Sequence, residues 1–380
     1  MAKPRHKKQN KYKNLSHRDR FDEDRIDRRQ VLEAETLTGR QSRWRERLDE
    51  DAPPAAYNPA DYAGQPLGTV VRMLSGHHYV LMDGTGEELE VRVKGILKKG
   101  IRNTTTVVAP GDRVHIETQA DGTRVISAVT PRRSALSRPS PTRTHLEDII
   151  VANVDQVVIT SSVGGPAFWH ELADRYLVFA EYYGLQAALV INKCEQAQPG
   201  ELETIRALYA GQLGYPVLFT STVTGAGLAD FRALLHGKSS VISGLSGVGK
   251  SSLLNAVQPG LNLRIKSVNE KYGGEGKHTT RTTTLHPLGE ASPAGARTFV
   301  ADTPGIRAFG LWNMTPQEVD YYFREFRPLL EACEFADCTH HHEPGCAIRA
   351  ALANGEIAQT RYDSFVLLYD ETDPAHERPF

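Results

Sequence analysis

The octapeptide GLSGVGKS, Gly244–Ser251, decides how the rest of the chain is read. It fits G-x-x-x-x-G-K-[ST]. A β-branched run, SSVISG, precedes it and a helix-forming run, SSLLNAV, follows. Strand, glycine turn, helix is the context in which this pattern cradles phosphates. The glycines let the backbone fold around an anion, so the N–H groups of Gly244, Ser246, Gly247, Val248, Gly249, Lys250, Ser251 and Ser252 are the expected nucleotide contacts. The helix N-terminus adds favourable dipole charge. Lys250 is expected to reach the β- and γ-phosphates as a catalytic group, and Ser251 to ligate Mg2+.

Working outward, RTFVADTPG reads as a strand ending in Asp302. An aspartate at a strand tip beside the phosphate loop suits Mg2+, and Gly305 can donate its N–H to a γ-phosphate. Upstream, AALVINKCE places Asn192, Lys193 and Glu195 after a strand, and TSTVTGAG places Ser221 after the next. A carboxylate at position 195 accepts from N1–H and the 2-amino group of guanine, which adenine lacks. Lys193 flanks the ring, and Ser221 with its neighbours meets O6. The acid is Glu rather than Asp, one methylene longer, which puts the strength of guanine discrimination in question. The usual order of these elements in GTPases is phosphate loop, D-x-x-G, N-K-x-D, then the serine loop. Here the last two come first, so the domain is circularly permuted. Old termini that lie close together permit this.

Between the phosphate loop and Asp302 lies KYGGEGKHTTRTTTL, a glycine-rich loop whose threonines offer a hydroxyl to Mg2+. Ile306 follows D-T-P-G where many GTPases place a water-orienting glutamine. An aliphatic side chain cannot orient water, so slow intrinsic hydrolysis is expected. His278 is a candidate substitute, since imidazole can orient or deprotonate water.

The remaining signals flank this domain. CEFADCTHHHEPGC brings Cys333, Cys338 and Cys346 together with His340, His341 and His342. Three thiols with one of these histidines make a closed Cys3His set for structural Zn2+. From Leu67, five short β-branched runs in about 65 residues, punctuated by Gly, Asp and Asn, read as a small barrel. An OB-fold is the expected form, with an SH3-like barrel as the alternative. Its nucleic-acid face is expected to include Arg72, His77, His78, Arg92 and Lys94. Residues 1–20 carry eight Lys/Arg against Asp19, a disordered basic arm by composition. Residues 21–50 suit a helix.

Pattern and composition thus predict a multidomain chain. Residues 1–64 are a basic, partly disordered extension and linker, 65–130 an OB-fold barrel, and 131–145 a basic linker. Residues 146–312 form an α/β circularly permuted P-loop GTPase domain, and 313–380 a mainly helical zinc-binding domain. The 380 residues have a net charge of −1, so whole-chain charge implies no partner. Four cysteines, three of them within Cys333–Cys346, exclude a disulfide framework and suit a metal in a reducing compartment. No apolar run is long enough for a membrane span. None follows the basic N-terminus as a secretory signal requires.

GLSGVGKSSLLN, GKHTTR, ADTPGIRAFGLW and the C-x4-C-x-H-x5-C segment together resemble the small-subunit-dependent, YjeQ-type ribosome biogenesis GTPases over about residues 65–365. The resemblance selects His340 as the zinc ligand, His278 as the residue serving hydrolysis and Thr280 as a further magnesium ligand. It implies a cytoplasmic, monomeric GTP hydrolase, slow alone and stimulated by the small ribosomal subunit and its rRNA. Hydrolysis would be coupled to late small-subunit maturation and to the protein's own release. Two other readings are weighed. A non-catalytic RNA-binding scaffold that only senses GTP and GDP is favoured by Ile306 and opposed by Lys250, Ser251, Asp302 and His278. A P-loop ATPase or small-molecule kinase is opposed by Asn192 and Lys193.

Overall fold

Alternating apolar residues build the first unit. The strands are β1 (Leu67–Leu74), β2 (His77–Met82), β3 (Glu88–Val93), β4 (Arg113–Thr118) and β5 (Arg124–Val129). Their buried residues, among them Val70, Val80, Val91, Val114 and Ile126, form one interior cluster. Pairing runs β1-β2-β3-β5-β4, and β4 closes back on β1. All contacts are antiparallel except β3 with β5, which is parallel. That closed five-strand ring is the OB topology and excludes the SH3-like alternative. β1 has a bulge between Val70 and Arg72, which bends it as the ring closes.

The computed structural model describes residues 57–74, 76–98, 106–140, 147–258, 261, 283–289, 297–302 and 314–372. The expectations for the basic arm at 1–20, the helix at 21–50, His278, Thr280 and Gly305 lie outside the described residues.

Within the segment read as a basic linker, β6 (Ala135–Pro139) pairs with β7 (Glu147–Ala152). Two of its arginines make ion pairs. Arg132 makes a two-pronged ion pair at 2.7 Å with fully buried Asp112, and Arg133 lies 3.2 Å from Asp155. The junction with the barrel is tight. Gly111 has φ +93° and a Cβ there would meet the Ala152 carbonyl oxygen at 2.0 Å, so glycine is required.

The central sheet holds β8 (Gln156–Ser162), β9 (Gln186–Asn192), β10 (Val217–Phe219), β11 (Ser239–Ser243), β12 (Thr284–Leu288) and β13 (Thr298–Asp302). Its order is β10-β9-β8-β11-β13-β12, parallel except for β12. Continuous apolar runs are needed because both faces are covered. Val157, Ile159, Leu189 and Ile191 face α1 (His170–Tyr182) and α2 (Glu201–Arg206, continued by a wider turn through Gln212). Val158, Val190, Ile242 and Val300 belong to the opposite core with α3 (Leu228–Leu235) and α4 (Lys250–Val257). β12 also pairs with β1 at Arg72–Thr284, which makes one sheet of barrel and central strands.

The C-terminal region adds α5 (Pro316–Val319), α6 (Ala347–Ala353) and α7 (Gln359–Thr372), joined by short 3-10 turns. It does not build a separate core. Phe323, Phe326, Phe365 and Leu368 join the cluster that contains Tyr176, Leu177 and Ala180 of α1. Among the described residues no helix is long and apolar enough to cross a membrane.

Candidate functional site

Five parallel strands end at the same edge of the central sheet, and the sequence-derived residues gather there. The loops after β9, β10 and β11 carry Lys193–Glu195, Thr220–Ser221 and Gly244–Gly249. β13, one strand over from β11, ends at Asp302. Ligands of such sheets bind at this carboxyl edge.

The phosphate loop folds as its glycines dictate. Gly244 has φ +138° and a Cβ there would meet the Thr160 carbonyl oxygen at 1.9 Å. Gly247 and Gly249 also take positive φ, at 87° and 97°. α4 begins at Lys250, so the amides of Lys250, Ser251 and Ser252 open its first turn without intrahelical acceptors. Ser246 is exposed, Val248 is buried, and Ser251 and Ser252 are half-buried. Lys250 Nζ donates to the Gly244 and Leu245 carbonyls at 2.8 and 2.7 Å, which holds its ammonium over the loop.

The loops expected to read the base are tied to this one. Asn192 is 1% exposed. Its Nδ2 donates to the Val248 carbonyl at 2.9 Å, and its Oδ1 accepts from Thr220 Oγ1 at 3.3 Å. One amide therefore links three loops. Lys193 takes the left-handed conformation, φ 59°, and its ammonium donates to the Gly165 carbonyl. Glu195 is exposed at the rim, and a hydrogen bond from Ser221 holds its carboxyl below the usual carboxylate range. Ser221 is fully buried. Its N–H donates to the Ala226 carbonyl at 3.0 Å, and its hydroxyl accepts from Val223 and Thr224 N–H at 3.2 and 3.0 Å. With both lone pairs used, its one proton is left for Glu195. Ser221 thus shapes the loop and holds the acid, while exposed neighbours face outward.

A second cluster lies in the C-terminal region. Cys333, Cys338, His340 and Cys346 are all buried, with ligand atoms within 4.8 Å of one another. His340 Nδ1 lies 3.7 Å from Cys333 Sγ and 3.4 Å from Cys346 Sγ. A tetrahedron with ordinary zinc–sulfur and zinc–nitrogen bonds has S···N edges of about 3.6 Å, so the donor set fits. His340 Nε2 faces Asp320 Oδ2 at 3.2 Å, the carboxylate–histidine arrangement that orients a metal ligand. Burial would lower the His340 pKa, but hydrogen bonds with Asp320 and Cys333 outweigh it and push it up to about 10. Burial likewise opposes ionisation of Cys333. The His340 hydrogen bond and backbone N–H groups at the start of α6 overcome that and bring the thiol down to about 7. Glu343 closes the ligand loop. It accepts from Thr339 N–H at 2.9 Å and His342 N–H at 3.2 Å. Against the opposing effect of burial, the Thr339 side-chain and backbone bonds hold its carboxyl down at about 2. His341 and His342 are not in the cluster.

The barrel face departs from expectation. His78 is buried. Arg72 pairs with Glu88 at 2.6 Å and lies 4.0 Å above the Tyr79 ring, His77 lies 2.7 Å from Glu90, and Lys94 pairs with Glu117 at 2.8 Å. Only Arg92 of the five is exposed without a side-chain ion pair among the described residues. The strand alternation located the basic residues, but it carries no information about their acidic cross-strand neighbours. Asp320 and the Gly164–Gly165 turn were missed altogether. Neither has a local motif, since each acts on a residue distant in sequence.

The geometry agrees with the comparisons. A family model described as RsgA GTPase matches residues 129–312. The chain is 44% identical over 308 residues to the small ribosomal subunit biogenesis GTPase RsgA of Gemmatimonas aurantiaca, covering 80% of this chain and 96% of that one. It is 37% identical over 317 residues to the protein of the same name from Halalkalibacterium halodurans, covering 83% and 100%. Among solved structures, YjeQ from Thermotoga maritima matches with a TM-score of 0.64 and 33% identity, over 81% of this chain and 98% of that chain. YloQ, described as a circularly permuted GTPase, matches with a TM-score of 0.62 and 29% identity, over 86% of this chain and all of its own.

Proposed function

Since this chain belongs to the RsgA GTPase family and is a GTP hydrolase, we propose that it acts in biogenesis of the small ribosomal subunit. In this reading it binds that subunit and its rRNA as a cytoplasmic monomer. Subunit contact stimulates hydrolysis, which is coupled to late maturation and to release of the protein. The observation that carries the reading is the joining of three loops at one sheet edge by Asn192, in a permuted domain flanked by a barrel and a metal-ligand cluster. The names of the relatives supply the subunit.

The roles follow from the chemistry of the groups. Asn192, Lys193 and Glu195, the last held by Ser221, read guanine. Gly244, Ser246, Gly247, Val248, Gly249, Ser252 and Gly305 present backbone N–H groups to the phosphates, and Lys250 adds positive charge where the transition state is most negative. Ser251, Asp302 and Thr280 would hold Mg2+, which would supply positive charge against the phosphates. His278 orients the attacking water where Ile306 cannot. Cys333, Cys338, His340 and Cys346 hold one structural Zn2+, a cross-link for a region whose core is borrowed from the neighbouring domain. The barrel's basic residues are mostly paired among the described residues, so the net positive charge of residues 1–20 supplies much of the sequence-independent attraction to rRNA.

Cosedimentation with purified small subunits tests the reading. Binding with a non-hydrolysable GTP analogue, weaker binding with GDP and none to large subunits is the expected pattern. Equal binding to both subunits, or to neither, contradicts it.

A further inference from the structure

The metal-ligand cluster and the base-reading loops touch opposite ends of one continuous set of contacts. At the metal end, Tyr362 of α7 donates its hydroxyl to the His340 carbonyl at 2.7 Å, and Phe365 packs 5.8 Å from the His340 ring. The residue before Tyr362 is Arg361, which is 1% exposed. It lies 2.8 Å from Asp174 of α1 and donates to Glu325 at 2.6 and 3.1 Å. Asp174 is fully buried and also accepts from Ser364 at 2.6 Å and Tyr209 at 2.9 Å. The turn that leads into α1 meets the nucleotide site. Gly165 accepts from Lys193, and a Cβ on Gly164 would meet Gln196 at 2.5 Å.

Buried ions are a poor source of stability, because desolvation costs about what their attraction returns. They are better at fixing one register between the pieces they join. Here the pieces are α1, which leads from the guanine-reading edge, and α7, which holds a metal-ligand residue. We propose that Asp174, Glu325 and Arg361 are positioning residues that couple the metal site to the guanine-reading loops through α1 and α7. This rests on the reading of Lys193 and the Cys3His set given above. Coupling is reciprocal, so bound guanine nucleotide must tighten metal binding by the same factor that bound metal tightens nucleotide binding.

The test removes the ions together. In Asp174→Leu/Glu325→Met/Arg361→Met no charge is left unpaired, and replacing a complete buried ion set with apolar groups is often neutral for stability. The two hydroxyls keep partners, since Tyr209 lies 3.0 Å from His170 Nδ1 and Ser364 already donates to the Thr360 carbonyl at 2.9 Å. The affinity for a fluorescent GDP is titrated on the full chain before and after a zinc-selective chelator, with Mg2+ in excess and metal content measured. In the wild type, stripping the metal is expected to weaken GDP binding about fivefold or more. In the triple variant the affinity is expected to be the same with and without metal. An equal response in both proteins, or none in the wild type once its metal is gone, overturns the coupling. A wild type that holds no GDP or no metal overturns the site assignments as well. If the triple variant does not fold, Arg361→Lys keeps the charge but loses the two-pronged geometry. Its response to chelation is then expected to fall below the wild type's, and an unchanged response counts against the proposal.

Discussion

Asn192 shows how much one residue can carry. Its amide donates to the Val248 carbonyl and accepts from the Thr220 hydroxyl, so it ties three loops together. Asn192→Ala strands a buried carbonyl and is expected to weaken GDP binding about tenfold, the cost of one buried hydrogen bond of this kind. A fluorescent-nucleotide titration reads this directly. Glu195 sets the pH dependence. Its pKa is lowered by Ser221, so the ionised form, the one proposed to read the base, persists below the ordinary carboxylate range. GDP affinity should therefore stay flat from pH 8 to about pH 5 as far as this group is concerned. Ser221→Ala should move the acid limb to higher pH, and an unmoved limb would take Ser221 out of this role. The N-K-x-E and T-S residues were legible in sequence because their spacing from strand ends is local. The burial of Ser221 was not, because it depends on how the turn at 221–226 closes.

At the scale of elements, the phosphate loop was fully legible. Gly244, Gly247 and Gly249 sit where the backbone has positive φ, and at Gly244 the neighbouring strand leaves no room for a Cβ. Gly244→Ala would drive a methyl into the Thr160 carbonyl, so strand β8 or the loop must move. Loss of nucleotide binding with a lower Tm is expected, and a normal titration would refute the packing described. The barrel was legible as five strands. Its closure was not, because the parallel pairing of β3 with β5 is a long-range contact with no local signature. The metal loop was legible in its ligands and incomplete in its support. Asp320→Asn removes the carboxylate behind His340 and is expected to cost 10- to 100-fold in metal affinity, measured by chelator competition. An unchanged affinity would mean that Asp320 does not orient the ligand.

At the scale of the molecule, permutation and packing explain each other. The chain leaves the central sheet after Asp302, beside the phosphate loop, and returns at Met314 to build a region that shares its core with α1. The order of motifs and the Cys3His ligand set are legible in the sequence. The shared core and the buried Asp174–Arg361 pair are not, because partners almost two hundred residues apart leave no pattern in either segment. Among the described barrel residues, Arg72, Arg113 and Lys94 meet acids, which strand alternation alone does not reveal. The most direct test of the account is steady-state GTP hydrolysis by the full chain, alone and with purified small subunits, with ATP and large subunits as controls. Slow turnover alone and strong, GTP-specific stimulation by small subunits is the expected result. Turnover that is equally fast without subunits, or stimulated equally by large ones, would contradict it.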